Sequence, residues 1–333
     1  MRREGVTIKD IAREADCASS TVSKFLNGGN IREPHRSRLL RVIQEYGYRP
    51  NSIAKSLRSK QSFAVGVLFP DFSNQFAMNI MATLETELNK LGYSALVCSS
   101  ENDPKIEQKK LEFLLEKQVD GIILIPCHDD GSRIRETVGK DVPVVLMDCL
   151  CDGYDTDAIL LNNREISAKA TERLLSQHTD VAIISSDDSH TGRQRYLGYV
   201  DAYEKMGIPI RQEYIKNGGR TIDGGYLQMK QLWENENKPR AVFITNYEMT
   251  IGTIMAINEM GIRIPDELQV IGFDYVGLAK ALNHELSIVE QPMADMAKMA
   301  ADLLYERMNG ESSESPRHCV LNAKLVDLEK YKL

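Results

Sequence analysis

Hydrophobic positions along this chain follow a helical spacing as far as Leu57 and a strand–helix alternation from Phe63 onward. In the first stretch Ile8, Ile11, Ala12 and Ala15 recur at helical intervals, and Thr7 with Asp10 three residues on predicts a capping-box start. Asp16-Cys17-Ala18 breaks the pattern. A second helix is expected from Ser19 to Leu26, burying Val22 and Phe25 or Leu26 and turning Ser19, Ser20, Ser23 and Lys24 outward. Two helices at an angle, the second with a small polar face, suit insertion into a DNA major groove; an ordinary helical hairpin has the same spacing. Gly28-Gly29-Asn30 predicts a loop. Pro34 suits the first turn of a third helix, running to Tyr46, stopping at Gly47 and carrying an apolar stripe of Leu39, Leu40, Val42 and Ile43. Ser52 to Lys60 is basic and helix-compatible but too short and polar to be stable alone. It reads as a linker, or as a helix formed only with a second copy and a DNA groove.

From Phe63 to Phe69 the chain is almost continuously apolar, the mark of a buried parallel strand. A helix over 75–91 ends at Gly92, and Tyr93–Cys98 is a second strand. A helix over 104–118 is followed by strands at Asp120–Ile125, Val142–Met147 and Ala158–Leu161. The theme then restarts, with helices over 164–177, 192–206, 223–236 and 248–260 and strands at Val181–Ser185, Glu213–Ile215, Ala241–Thr245 and Gln269–Phe273. A last helix runs from Met293 to Asn309, with a short tail after it. Alternating strands and helices imply doubly wound parallel sheets, and two successive sets imply two lobes, with ligands at the strand C-terminal ends.

Charge sharpens this division. Residues 1–60 hold 13 of the 41 Lys+Arg but 6 of the 48 Asp+Glu, so a +7 head precedes a −14 body. Such a head is suited to a polyanion. At 333 residues two or three domains are expected, with hydrophobic content ordinary for a soluble protein. No apolar run is long enough to span a membrane, and MRREGVTIKD has no apolar signal region, so a cytoplasmic protein is expected. The six cysteines are scattered without CxxC pairs and read as free thiols.

Ordered motifs now tie the whole chain to one family. They are Thr7-Ile8-Lys9-Asp10-Ile11-Ala12, Thr21-Val22-Ser23, Gly47-Tyr48-Arg49-Pro50-Asn51, Val119-Asp120-Gly121-Ile122-Ile123, Pro143-Val144-Val145, Pro239-Arg240-Ala241-Val242-Phe243, Ile271-Gly272-Phe273-Asp274 and Gln291-Pro292. With these the chain resembles the lac repressor (LacI/GalR) family of bacterial transcription regulators. The resemblance implies an α/β protein: a three-helix helix-turn-helix head at 1–50, a hinge helix or linker at 51–61, and a two-lobed body like periplasmic sugar-binding proteins. One lobe, for effector binding and dimerisation, would take 62–161 with 291–320, and the other 162–290 with 321–333.

It also implies a homodimer, or a dimer of dimers, on a near-palindromic double-stranded operator. By resemblance Ser19, Ser20 and Lys24 meet bases; Thr7, Thr21, Ser23 and Asn27 meet phosphates; and Asn51, Ala54 and Leu57 contact DNA from the hinge, Leu57 as a minor-groove wedge. In the body Asp274 would accept two sugar hydroxyls and Arg195 would reach the same ligand. Asn246, Asp148, Phe72 and Phe76 would complete the pocket, the phenylalanines as its wall. For any single Asp or Arg a lobe-closing salt bridge is the competing reading.

Three departures from the family pattern matter. Asp16-Cys17-Ala18 replaces a turn that usually runs Gly or Asn, Val, Ser. Asp tolerates a left-handed backbone, whereas Ala18 loses a helix cap that a shifted start at Ser19 or Ser20 would restore. Asn246-Tyr247-Glu248 stands for the usual Asn-Asp, so a carboxylate is expected to be missing there. Arg220 stands where relatives often place an aromatic wall; with Arg195 it points to an anionic or phosphorylated sugar-like effector, unless it faces solvent. A repressor released by an inducer and one activated by a corepressor fit the sequence equally well.

Two other classes share parts of this pattern. A solute-binding protein would share the lobes but not residues 1–60. An enzyme on a sugar substrate would need more than Ser185-Ser186-Asp187-Asp188-Ser189-His190 and Cys127-His128-Asp129-Asp130, which lack nucleophile-elbow, P-loop or metal-ligand spacing. No catalysis, metal or cofactor is expected.

Overall fold

A computed structural model describes residues 6–26, 28–48, 61–72, 75–187, 189–274, 285–311 and 315–328. It divides into two compact units between Ser62 and Phe63. In the first, α1 (Ile8–Glu14), α2 (Ser19–Leu26) and α3 (His35–Tyr46) surround a small core of Ile11, Ala12, Ala15, Val22, Ile31, Leu39 and Val42. Thr7 and Asp10 form the expected capping box: the Asp10 carboxylate accepts the Thr7 N–H at 3.0 Å, and the Thr7 hydroxyl accepts the Asp10 N–H at 3.3 Å. Leu40 departs from the expected stripe and is 52% exposed. One residue beyond Leu39 the helix has turned about 100° away from the core.

In the second unit each lobe is a six-stranded sheet. The first sheet contains β1 (Ala64–Phe69), β2 (Ser94–Ser99), β3 (Gly121–Leu124), β4 (Val144–Met147), β5 (Asp157–Leu161) and β11 (His318–Leu321), in the order β11-β5-β4-β3-β1-β2 and all parallel. The second contains β6 (Val181–Ser185), β7 (Ile215–Asn217), β8 (Ala241–Ile244), β9 (Gln269–Phe273), β10 (Leu286–Glu290) and β12 (Lys324–Leu328), ordered β12-β10-β9-β8-β6-β7. Only its β10–β12 pairing is antiparallel.

The apolar strand runs are explained by helices on both faces. Side chains alternate across a strand. Val65, Val67, Phe69, Ile123 and Val145 therefore pack with α4 (Gln75–Lys90) and α11 (Met293–Met308). Leu68, Ile122, Leu124, Val144 and Leu146 face α5 (Pro104–Glu116) and α6 (Ser132–Val138). In the second sheet Ile183, Phe243 and Ile271 meet α7 (Asn163–Leu175) and α8 (His190–Met206). Ile184, Val242 and Val270 meet α9 (Ile222–Glu234) and α10 (Tyr247–Glu259).

The chain passes between the sheets three times: after β5, between β10 and α11, and between β11 and β12. The crossings are laced together. Asn162 donates its N–H to the Leu321 carbonyl at 3.0 Å and accepts the Ala323 N–H on its side chain at 2.9 Å; Glu290 pairs with Lys324. Leu321 still pairs with Leu161, so the last crossing falls beyond residue 321 rather than at 320.

Five elements differ from the sequence reading. The tail after α11 contains β11 and β12, whose half-exposed edge positions carry no continuous apolar run. β10 and the short helix α6 were also not expected. The strand expected at Glu213–Ile215 begins at Ile215, behind a 3-10 turn over Gln212–Tyr214.

The return of the chain to the first lobe rests on Asp157, which is 1% exposed at the start of β5. Its carboxylate accepts from Arg307 at 2.6 and 2.9 Å, from the Arg317 side chain at 2.9 Å and from the Arg317 N–H at 2.8 Å. These contacts hold α11 and β11 against the sheet. Burial pushes this carboxyl up, but the two arginines more than offset it and its pKa is lowered. Its stabilising contribution is thus present above the ordinary carboxylate range and lost as pH falls through the lowered pKa. Asp157→Asn leaves two guanidiniums under-compensated, so body stability should fall by about 3 kcal/mol. Urea unfolding at pH 7 checks this, and a midpoint unchanged from the wild type would refute it.

Candidate functional site

Two surfaces carry the chemistry, one in each unit. In the head, Ala18 occupies the position before α2, with its carbonyl accepting the N–H groups of Thr21 and Val22 at 2.9 and 3.2 Å. It supplies no side-chain oxygen. The helix start has not shifted to recover a cap, contrary to that expectation: Ser19 is the first helical residue. Asp16 does adopt the left-handed backbone, at φ 52°, and its carboxylate meets Arg38 at 3.1 Å.

Val22 is buried and Phe25 and Leu26 half-buried, which leaves Ser19, Ser20 and Lys24 exposed and Thr21 and Ser23 at the margin. The helix closes on two glycines. Gly28, at φ 76°, donates to the Phe25 carbonyl at 3.0 Å, and Gly29 donates to the Lys24 carbonyl at 2.8 Å. A Cβ on Gly29 would stand 2.6 Å from Lys24 Cγ, so this glycine lets the loop lie along the Lys24 stem. The Thr7 hydroxyl donates to Asp10 at 2.7 Å and is already engaged within the head. Asn27, Asn51, Ala54 and Leu57 lie outside the described residues.

In the body, the C-terminal ends of the strands surround a cavity of about 710 Å³. Phe76, Asp148, Arg195, Arg220, Asn246 and Asp274, all singled out from the sequence, line it together. Phe72 does not; it is 43% exposed elsewhere. Arg195, on α8 and 5% exposed, is the best-fixed member. Its Nε donates to the Asn163 side chain at 2.7 Å and one Nη to the Thr245 carbonyl at 2.6 Å, while its guanidinium carbon stands 3.7 Å from the Phe273 ring centroid. Burial lowers its pKa, and Asp274, Asp148 and Glu248 partly restore it.

Asp148 and Asp274 end β4 and β9 in the same way. Both have left-handed backbones, at φ 68° and 80°, and both donate their N–H to the next strand, to Ile159 and Val289 respectively, at 2.8 Å. Asp274 Oδ1 accepts from the Gln291 amide; Asp148 Oδ1 is shielded from solvent with no hydrogen-bond partner among the described residues. Burial pushes the Asp148 carboxyl up to about 7, and Asp274 adds to the shift. The Asp274 carboxyl is also raised by burial, against Arg195 and Gln291.

Asn246 caps α10, with its side-chain oxygen taking the Met249 N–H at 2.9 Å and its amide donating to Glu248 at 3.1 Å. The carboxylate expected to be missing here is therefore supplied one residue later, by Glu248, which lines the cavity and is pushed up to about 7 by burial and by Asp274. Gln291 and Asn163 were likewise not named from the sequence as site residues. Gln291 belonged to a recognised Gln-Pro motif, and Asn163 follows β5 at a strand end.

The two polar runs considered for catalysis face each other. Asp129 accepts the His190 N–H at 3.1 Å and pairs with Arg193, so it joins the two lobes. Ser189 caps α8, and Asp187 accepts from Asn217 at 2.8 Å. The Cys127 thiol is pushed up to about 12 by burial and the Glu107 charge, so it is no nucleophile at neutral pH.

A helix-turn-helix head followed by two doubly wound lobes around a polar cleft defines a ligand-responsive DNA-binding regulator rather than an enzyme. Residues 7–51 match the model for bacterial regulatory proteins of the lacI family, and residues 171–327 match a periplasmic binding protein-like domain. The chain is 32% identical over 314 residues to catabolite control protein A of Priestia megaterium, covering 93% of this chain and 95% of that one. It is 30% identical over 316 residues to the ribose operon repressor of Escherichia coli strain K12, covering 93% and 96%. The lac repressor dimer bound to operator and the anti-inducer ONPF shares the fold, with a TM-score of 0.85 at 22% identity over 97% of this chain and 98% of that one. The chain belongs to the lacI family of bacterial regulatory proteins, and it is a DNA-binding transcriptional regulator. Among the described residues no helix is long and apolar enough to cross a membrane.

The raised carboxyls set the pH response of the ligand-free body. In the folded chain Asp148 and Glu248 keep their protons to about pH 7, whereas unfolded they ionise in the ordinary carboxylate range. Their contribution to stability is full below that range and is lost as pH rises towards 7. The body should therefore melt at a higher temperature at pH 6 than at pH 8, and the difference should shrink in an Asp148→Asn/Glu248→Gln double variant. Melting curves at the two pH values check this; a double variant with an unchanged difference would count against it.

Proposed function

We propose that the chain is a bacterial, cytoplasmic repressor that binds a near-palindromic operator as a homodimer and is switched by a neutral, hydroxyl-rich small molecule, a sugar or close derivative. The observation that carries the ligand class is the lining of the 710 Å³ cavity. Asp71, Asp148, Asp223, Glu248 and Asp274 face Arg195 and Arg220 there. Carboxyls that accept hydroxyls, beside an arginine already engaged by protein acceptors, suit a polyol. The anionic effector suggested by the arginine pair is disfavoured, because the two arginines share the lining with five carboxyl groups, and each of these that ionises would oppose a phosphate. The name of the ribose operon repressor relative points to the same ligand class.

The polar face of α2 is the base-reading surface in this proposal, with Ser19, Ser20 and Lys24 meeting bases, Lys24 as a donor to guanine, and Thr21 and Ser23 taking phosphates. Ligand-dependent closure of the lobes changes the separation of the two hinge segments of the dimer and so the stability of the hinge on DNA.

A thermal-shift screen of neutral pentoses and hexoses against their phosphates tests the ligand class. A neutral sugar should stabilise the wild type, and Asp274→Asn should weaken it about tenfold or more, the loss expected when one partner of a charge-assisted hydrogen bond is removed. Stabilisation by phosphorylated sugars alone, lost in Arg220→Ala, would overturn the neutral reading. For DNA, operator affinity should fall about 10³-fold or more between 50 and 200 mM salt. Lys24→Ala should reduce operator binding with little effect on body melting. A salt-independent affinity would refute the phosphate contacts.

A further inference from the structure

Beside the cavity, three residues of different chemistry meet where the sequence gives no ligand spacing. Glu107, in the first turn of α5, is 2% exposed. Its Oε2 accepts the Cys127 N–H at 2.8 Å, and its Oε1 stands 3.7 Å from His128 Nε2. A carboxylate oxygen, the Cys127 Sγ and an imidazole nitrogen all lie within 4.8 Å of one another.

The imidazole is poorly accounted for by protein contacts. A separation of 3.7 Å is too long for a hydrogen bond, and His128 Nδ1 is shielded from solvent with no partner among the described residues. A buried carboxylate, a thiol and an imidazole drawn together in this way form a mixed O, S, N donor set. Zinc bonds of about 2.0–2.3 Å place tetrahedral ligand atoms about 3.3–3.8 Å apart. The set therefore needs to contract by at most about 1.5 Å to enclose an ion. Side-chain rotation of His128, on the loop after β3, provides that freedom.

We propose that Glu107, Cys127 and His128 form a binding site for a thiophilic divalent cation, with zinc as the representative ion. Thiolate and imidazole select zinc and its neighbours over magnesium or calcium. The thiol loses its proton on binding, so one proton is released to solvent for each ion bound. Three protein ligands leave a fourth position for water.

The location gives the ion leverage. Residues 127–128 immediately precede Asp129, whose carboxylate holds the His190 N–H and Arg193 on the other lobe. An ion on Cys127 and His128 stiffens the loop from which that contact reaches across. The site is separate from the sugar cavity, so its test does not depend on the effector.

Cobalt(II) is the probe, titrated into the reduced full-length chain. One ion per chain should bind, with the near-ultraviolet absorption of a thiolate-to-cobalt charge transfer. Cys127→Ser should abolish that absorption. His128→Gln should weaken zinc binding by at least the roughly tenfold that loss of a mere supporting residue costs. Cys151→Ser, a nearby thiol outside the set, should retain the absorption; its Sγ lies 3.8 Å from the His128 carbonyl. Zinc should also raise the melting temperature of the wild type but not of Cys127→Ser. The proposal is overturned if the wild type gives no charge-transfer absorption at millimolar cobalt, or if the absorption survives Cys127→Ser, or if it is lost in Cys151→Ser instead.

Discussion

A guanidinium buried to 5% exposure is tolerable only when acceptors and counter-charges surround it, and Arg195 draws that surrounding from four strand ends. Asn163 follows β5, Thr245 follows β8, Phe273 closes β9, and Asp148 and Asp274 follow β4 and β9. The first lobe contributes Asp148; the second carries the arginine and most of its partners. The cleft is organised around this cation, whose acceptors and counter-charges all come from these strand ends and the helix starts beside them. The carboxyls carry an electrostatic cost of their own: burial, with Asp274 beside them, pushes Asp148 and Glu248 up to about 7, while Arg195 pulls Asp148 and Arg220 pulls Glu248 the other way.

The topology delivers those groups without long loops. Parallel strands end on one side of each sheet, so every residue just beyond a strand end falls on the same rim. Asp148 and Asp274 show that the two lobes use one local device, a left-handed residue after a central strand that turns a carboxyl into the cleft. The polar runs that open at Cys127 and Ser185 are likewise strand-end segments: Ser189 caps α8, and Asp129 meets Arg193 between the lobes.

Most of this architecture is legible in the residues alone, because the central strands are apolar on both faces and the helices have clear ends. α2, β6 and β9 fall where their hydrophobic runs place them. The elements that escape are those with little periodicity: β11 and β12 are half-exposed at sheet edges, and α6 is seven residues long. In the cleft, Asp148, Arg195 and Asp274 were legible through position at strand ends and family motifs. Glu248 was not, since a carboxylate moved by one residue at a helix start still reaches the cavity while a linear pattern counts it as lost. Asn163 and Gln291 act by fixing Arg195 and Asp274, and that support is a matter of distance rather than of residue type. Phe72 shows the converse: an aromatic after a strand end was a reasonable wall, but the chain turns it outward.

The three laced crossings between the lobes have a mechanical meaning. Asn162 binds the backbone at Leu321 and Ala323, and Glu290 pairs with Lys324, so the links lie beside one another instead of acting as separate tethers. A single strand between two bodies leaves both bending and twisting free. Three joined side by side behave as a piano hinge, soft about the line that runs through them and stiff against torsion. Opening and closing of the cleft is thereby reduced to nearly one coordinate. A ligand that shifts this coordinate by a few degrees moves every group on the far rim together, and little of its binding energy is dispersed into other modes.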